Sequence, residues 1–304
     1  MEQRDAVAGH EPVMLQEVME FLSPGPGKEF LDLTLGAGGH AETLLKRIGQ
    51  SGQLIGVDRD EEVLLATAAR LRGKFERVRF FSANFSELAE LKGELEGQQF
   101  DGVLMDLGVS SIQLDDVKRG FSFQTEGPLD MRMDRSKGRT AKDLLAKLPE
   151  EELERILRDY GEERRARAVA RAIVRRRSES PLEWTSELAE LCRRVVGGRP
   201  GGIHPATRTF QALRIAVNEE LKALKSAVTG MPGMLKAGGV VVVISFHSLE
   251  DRIVKESFRE HAKAGLYEIL TKKPMRPGPE EVERNPRSRS AKLRAARRTS
   301  TVLP

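Results

Sequence analysis

In the stretch LDLTLGAGGHAE, Gly36, Gly38 and Ala41 satisfy G-x-G-x-x-A, and Asp58 follows twenty residues after Gly38. A glycine-rich turn between a strand and a helix brings backbone N–H groups up against a ligand. One helix and one strand later the chain returns to the same sheet edge, where a carboxylate sits beside ribose hydroxyls. The pair therefore points to a nucleoside cofactor. Two fit: NAD(P), and S-adenosylmethionine, whose adenosine binds the same edge without a pyrophosphate. Asp32, beside the loop, would repel a pyrophosphate and welcome an ammonium or a sulfonium, which favours S-adenosylmethionine. Asp60 reads as solvent-facing or helix-capping.

The elements that position these residues follow from periodicity. EFLDLTL and GQLIGVDRD read as short buried strands around a helical pattern at Ala41 to Ile48, which is a βαβ unit. A helical EEVLLATAARLRGKF, a strand at Val78 to Ser82, a helical FSELAELKGEL and the apolar FDGVLMDLG continue the alternation, implying a parallel, doubly wound sheet. After Gly108 the next hundred or so residues read as charged helices and loops. The α/β pattern returns with TRTFQALRIAVNEELKALKSAV, whose Phe210, Leu213, Val217, Leu221 and Leu224 make an apolar stripe, and then the strand GGVVVVISF. The expected organisation is a first sheet part over 1–109, an inserted helical domain over 110–206, a second sheet part over 207–283 and a basic tail over 284–304.

The 304 residues suffice for a substantial core without disulfides. The single Cys192 and five histidines show no zinc spacing, so no metal is expected, and a reducing cytoplasm fits best. No stretch is apolar enough for a membrane; the longest aliphatic run is Val240 to Ile244. The net charge of +4 matters less than its distribution. From Arg164 to Arg177 there are seven arginines and no acid, and from Arg284 to Arg298 six arginines, one lysine and no acid. The second segment reads as disordered or bound to something acidic.

The chain also resembles the MraW-type family, the ribosomal RNA small subunit methyltransferases H, over nearly its whole length. The resemblance rests on HEPVML at His10, DLTLGAGGH at Asp32, GVDRD at Gly56 and DLGVSSIQLDD at Asp106, then RGFSF at Arg119 and PLDMRMD at Pro128. It continues with HPATRTFQALRIAVNEEL at His204, SFHSLEDRIVK at Ser245 and NPRSRSAKLR at Asn285. It implies a class I methyltransferase, a Rossmann-like doubly wound sheet with the helical insertion. Its cofactor would be S-adenosylmethionine and its partner small-subunit ribosomal RNA or the assembled small subunit. The activity implied is methylation of the exocyclic N4 of a cytidine in the decoding region. By motif, Gly38, Gly39 and His40 would contact the cofactor, with Asp58 at the ribose, Phe85 near the adenine, and Asp106 and Gln113 closing the site.

Methyl transfer to that amine needs its partly delocalised lone pair held in line with the sulfonium methyl, so orientation matters most. Asp106, at a strand end, is the candidate to accept from the amine and stabilise its developing positive charge; its structural alternative is a turn or helix cap. Ser245 and His247 follow another strand end and are placed to reach the acceptor nucleotide, while Ser248 with Asp251 reads as a capping pair. Cys192 lies on an amphipathic pattern and reads as a packing residue, which disfavours carbon-5 chemistry through a thiol nucleophile.

On the RNA side, Arg164, Arg167, Arg171 and Arg175 fall at helical spacing opposite an apolar face, an arrangement that tracks phosphate when acidic partners are absent. Arg208, Gln211, Arg214 and Asn218 form a second polar stripe that could wall a substrate, and Arg287 and Arg289 lie in the basic tail. The target amine must be unpaired or flipped out, and Phe121 and Phe123 would either stack on it or anchor a loop. Two rival readings stay open: a nicotinamide-dependent oxidoreductase and a noncatalytic RNA-binding assembly factor.

Overall fold

A computed structural model describes residues 11–198 and 201–302, so His10 of the HEPVML block lies outside the described residues. One compact unit runs to Gly108 and resumes at Leu221; the other spans Val109–Glu220. The first holds a seven-stranded sheet of β1 (Glu29–Asp32), β2 (Gln53–Asp58), β3 (Val78–Ser82), β4 (Phe100–Asp106), β5 (Leu235–Ser245), β6 (Tyr267–Ile269) and β7 (Lys292–Arg298), in the order β3-β2-β1-β4-β5-β7-β6. β1 to β5 pair in parallel, and β7 runs antiparallel to both its neighbours.

The sheet's two faces are written in the alternation of its strands. Leu31, Ile55, Val103, Val241 and Val243 belong to one buried cluster, and their neighbours Phe30, Leu54, Leu104, Val240 and Val242 to the other. Burial on both sides explains the unbroken valine run of β5, each such side chain contributing roughly 1.5–3 kcal/mol. The order reverses between β1 and β4. In open α/β sheets ligands bind beyond the carboxyl ends of the strands at such a switch point, and there Asp32 and Asp106 end β1 and β4 while Asp58 ends β2.

Helices α1 (Leu15–Leu22), α2 (Gly39–Ile48), α3 (Glu61–Arg72) and α4 (Leu88–Glu94) precede the insertion. Asp60 is 2% exposed and caps α3 by accepting from the Val63 amide. The inserted unit contains α5 (Ser111–Asp115), α6 (Ala141–Lys147), α7 (Glu150–Asp159), α8 (Ala166–Glu179), α9 (Thr185–Val196) and α10 (Thr207–Asn218). Its core joins Leu153 and Leu157 of α7, Val169 and Ile173 of α8, Leu188 and Cys192 of α9, and Phe210 and Leu213 of α10. The expected return to the sheet part at residue 207 is thus late by one helix, and the expected single helix is two: Phe210, Leu213 and Val217 on α10 pack into the inserted core, whereas Leu221 and Leu224 fall on the next helix and Leu224 joins the sheet unit's core. Gly120, at φ +68°, is demanded by geometry, since a Cβ there would run into the Pro128 carbonyl.

α11 (Glu220–Gly230), α12 (Ser248–Lys263) and α13 (Pro279–Arg284) complete the chain. The largest departure from the sequence reading is the basic tail. Residues 292–298 are not a free tail but β7, an inner strand of the sheet, with Leu293, Ala295 and Ala296 fully buried. Its charges find partners distant in sequence: Arg294 forks onto Asp251 (2.6 and 3.3 Å), Arg297 meets Glu268 (2.9 Å), and Arg284 meets Glu11 (3.0 Å). Arg298 donates to the carbonyls of Leu266 and Thr299. Charge counting along the segment could not see acids supplied from elsewhere.

Candidate active site

The turn after β1 is held from every side. Leu35 N–H donates to Val57 O (2.9 Å), Gly38 N–H to Leu35 O (2.8 Å), Thr67 Oγ1 to Gly36 O (2.7 Å) and Arg70 Nη2 to Ala37 O (2.6 Å). Gly38, at φ +75°, is the N-cap of α2, and a Cβ there would sit 2.7 Å from Thr67 Cγ2. The glycines therefore serve the turn's own packing as well as any ligand. Because Gly38 brings no side chain, the first turn of α2 has no side-chain cap and presents its amides and the positive end of its dipole.

Asp58 closes this turn: Oδ2 accepts from Gly36 N–H (2.8 Å) and Oδ1 from Asp60 N–H (2.9 Å). Asp32, 1% exposed, accepts from Thr34 N–H (3.0 Å), and Thr34 Oγ1 in turn accepts from Asp106 N–H (2.6 Å), tying the ends of β1 and β4 together. Sequence reasoning missed Thr34 as this link, although it lies within the glycine motif. His40 Nδ1 is 3.7 Å from Asp106 Oδ2, and its Nε2 is 2.9 Å from Val13 O. Asp106 Oδ1 is buried without a hydrogen-bond partner among the described residues.

These carboxyls are hard to ionise. Burial, joined by the nearby charge of Asp58 and opposed by Thr34, pushes Asp32 up to about 7. Burial pushes Asp58 up to about 6 against the amides of Asp60 and Gly36. Asp106 is held well above the carboxylate range by burial, then by Asp32 and Glu250. A cluster short of counter-charge favours a cationic guest and disfavours an anionic one.

Phe85 opens a 3-10 turn, Phe85–Glu87, after β3; it is partly buried against the core, with Asn84 as its cap. His247 is used structurally: it caps α12, its Nδ1 accepting from Glu250 N–H (3.4 Å) while Glu250 Oε2 accepts from Phe246 N–H (2.8 Å). The cap is thus His247 with Glu250, not the expected Ser248 with Asp251, which pairs with Arg294 instead. An H-x-x-E spacing was the available signal. Ser245 Oγ donates to the Lys292 carbonyl (3.3 Å).

The sequence matches the MraW methylase family over residues 7–299. The chain belongs to that family. It is similar to ribosomal RNA small subunit methyltransferase H of Trichlorobacter lovleyi, 50% identical over 304 residues that cover 94% of this chain and 97% of that protein. The protein of the same name from Sorangium cellulosum is 51% identical over 290 residues, covering 95% of this chain and 90% of its own length. Among solved structures, a SAM-dependent O-methyltransferase from Thermotoga maritima has a TM-score of 0.43 at 11% identity, covering 95% of this chain and 66% of that one. The doubly wound α/β sheet and the helical insertion are the architecture expected for this family.

The inserted unit of this MraW methylase sorts the expected RNA contacts. Arg164, two residues before α8, and Arg167 and Arg175 on it are exposed and carry no ion pair among the described residues. Arg171 lies 3.6 Å from Glu150, and Arg176 and Arg177 are spent on Glu187 and on the carbonyls of Leu145 and Leu148, so the face does have acidic partners. The second stripe is largely structural. Arg214 forks onto Glu220 (2.9 Å each), Arg208 donates to Glu162 O, Gln211 to Tyr160 O and Asn218 to Met131 O. These polar groups are tied to the unit's own loops.

Phe121 is 9% exposed, and Phe123 stacks on His204 (4.5 Å) and meets Phe210 edge-on (4.9 Å), so both are anchors of this unit. Gln113 is 4% exposed in the inserted unit, where it forms a capping box with Ser110. Cys192 is fully buried and its thiol is pushed up to about 11 by burial, which leaves it inert as a nucleophile. Of the tail pair, Arg287 and Arg289 are both exposed, on the 3-10 turn Pro286–Ser290. No described helix is long and apolar enough to cross a membrane.

Proposed function

We propose that this methylase transfers a methyl group from S-adenosylmethionine to the exocyclic N4 of a cytidine in the decoding region of small-subunit ribosomal RNA. The observation that carries the cofactor assignment is the cluster of Asp32, Asp58 and Asp106 around the glycine turn, with burial holding all three carboxyls up. A pyrophosphate would meet three acids, whereas a sulfonium and an ammonium supply the missing counter-charge. The RNA assignment is supported by the relatives named above and by the unpaired arginines of α8.

When bound, the cofactor supplies an electrophilic methyl carbon whose bond pair returns to sulfur. Asp58 would accept from the ribose hydroxyls with the lone pairs its two amide partners leave, and the first-turn amides of α2 would hold the carboxylate of the methionine portion. Phe85 would lie against the adenine. Asp106 accepts from the N4 amine, orients it and stabilises the charge it gains.

The deciding experiment incubates the protein with small subunits and S-adenosylmethionine and maps modified nucleotides by mass spectrometry. One N4-methylated cytidine is expected. Absence of any methylated nucleotide, with calorimetric affinity for NAD rather than S-adenosylmethionine, would overturn the assignment in favour of an oxidoreductase; cofactor-independent RNA binding alone would favour an assembly factor.

A further inference from the structure

The inserted unit holds a cavity of about 570 Å³ lined by Arg164, Arg165 and Arg208 together with His204 and Glu163. Arg164 and Arg165 are exposed and have no ion pair among the described residues. Arg208 is half-buried; its Nη1 donates to Glu162 O (3.0 Å), which fixes the guanidinium and leaves the N–H groups of Nε and Nη2 for another acceptor. His204 Nδ1 accepts from the Ala206 amide (3.2 Å), so the neutral ring carries its hydrogen on Nε2, and stacking on Phe123 (4.5 Å) holds the ring in place. Glu163, 5% exposed, is the one acid lining the cavity among the described residues, and its Oε1 is committed to the Arg165 amide (2.8 Å). Three guanidiniums thus face one occupied carboxylate. A cavity walled by one sign of charge concentrates the opposite sign, and α8 and α10, which both begin here without a side-chain cap, add their positive ends.

We propose that this cavity is a phosphate-gripping site for the RNA substrate, in which Arg165 and Arg208 together hold one phosphodiester. The inference rests on the reading that small-subunit ribosomal RNA is the substrate. Guanidinium forks match the paired oxygens of a phosphate, and His204 Nε2 adds a neutral donor. The volume falls within the roughly 300–1,000 Å³ of small-ligand pockets, enough for a phosphate and an adjoining sugar. Arg164 lines the same cavity just before α8, so an RNA backbone leaving it meets Arg167 and then Arg175 along the helix. Phosphate contacts set register and carry no sequence information. The cavity therefore anchors the strand, and choice of the target base is made elsewhere.

The test uses the full-length protein and small ribosomal subunits, with methylation by the wild type checked first. Arg165→Gln and Arg208→Gln should each lower subunit affinity roughly tenfold, as loss of a charged hydrogen bond does. Because both hold one phosphate, the double variant should fall well short of the roughly hundredfold that independent contacts give. Its slope of log affinity against log salt should flatten by one phosphate's worth, about 0.7–0.9. Arg165→Gln with Arg175→Gln, ten residues or roughly 15 Å apart along α8, should instead combine additively. The Arg165 side chain makes no hydrogen bond or ion pair among the described residues, so Arg165→Gln should keep the wild-type melting temperature, and its arm stands even if Arg208→Gln unfolds. Inorganic phosphate should compete with subunits better than chloride at equal ionic strength, and the double variant should lose that difference. Unchanged subunit affinity in Arg165→Gln overturns the site, and additive losses with twice the slope change overturn the shared grip. If calorimetry shows phosphate binding to the wild type and not to the double variant while both bind subunits equally, the cavity takes free phosphate and its RNA assignment is wrong. A wild type that neither binds nor methylates subunits removes the substrate reading, and the anchor with it.

Discussion

Gly36 donates its backbone N–H to Asp58 Oδ2 at 2.8 Å, so the acid expected at the ribose is also what closes the glycine turn. Asp58→Ala should therefore weaken S-adenosylmethionine binding tenfold or more, since charged hydrogen bonds contribute roughly 1.5–3 kcal/mol each. Asp58→Asn should rescue little, because its NH2 would face one of two backbone donors, Gly36 or Asp60. RNA affinity should hold. Calorimetry showing unchanged cofactor affinity in Asp58→Ala would remove the residue from the site.

A second expectation concerns pH. The folded-state values of Asp32 and Asp58 are raised, to about 7 and about 6, above the ordinary carboxyl value of 3.8. The native protein then binds more protons than the unfolded chain between these limits, so the stabilisation is complete below pH 3.8 and is lost as pH rises toward 7. The melting temperature of the cofactor-free protein should fall from pH 5 to pH 8, and Asp32→Asn should flatten that slope. A melting temperature that rises across this window in the wild type would contradict the buried-acid account.

Asp106→Asn keeps the size and removes the charge. If the residue steadies charge that appears only as the methyl arrives, turnover should fall by a larger factor than cofactor affinity. Single-turnover rates and equilibrium binding, measured separately, decide; equal losses would reassign Asp106 to the cofactor.

The βαβ alternation, the glycine turn and the strand-end acids were legible because each rests on spacing within a few dozen residues. Gly36 and Asp58 are an example: one helix and one strand separate them, and topology returns them to contact. What was illegible depended on long-range partners. KLRAARR reads as disordered or bound to something acidic until Asp251 and Glu268 take Arg294 and Arg297 and the alanines slide between β5 and β6. The stripe of Arg208, Gln211, Arg214 and Asn218 likewise read as a possible substrate wall, because nothing nearby in sequence shows that each end group meets a carbonyl or carboxylate.

The β7 contacts make a prediction about that run. Arg294 and Asp251 are 8% and 15% exposed, so Arg294→Ala leaves a half-buried carboxylate with only Lys292, 3.8 Å away, and should destabilise the fold by about 1–3 kcal/mol, visible in urea unfolding. Arg289→Ala, at an exposed position, should leave stability within about 0.5 kcal/mol. Equal stability of the two variants would show that the buried pair is not the strand's anchor.

The inserted unit separates charges that hold the fold from charges free to meet phosphate. Arg214 is 17% exposed and forked onto Glu220, itself 8% exposed; Arg164 just before α8 and Arg167 and Arg175 on it stand exposed without ion pairs among the described residues. Arg214→Ala should lower the melting temperature, and any loss of RNA affinity should follow the unfolded fraction. Replacing Arg164, Arg167 and Arg175 together by alanine should leave the melting temperature nearly unchanged while flattening the salt dependence of RNA affinity. Each lost phosphate contact removes about 0.7–0.9 from the slope of log affinity against log salt, so three contacts would remove about 2–2.7. Glutamine in place of the same three arginines keeps length and hydrogen bonding and should give the same slope, because counterion release depends on charge. Cofactor affinity should not change in either triple variant. A salt slope identical to wild type would show that α8 is a solvated face and would move the search for the RNA surface elsewhere on the methylase.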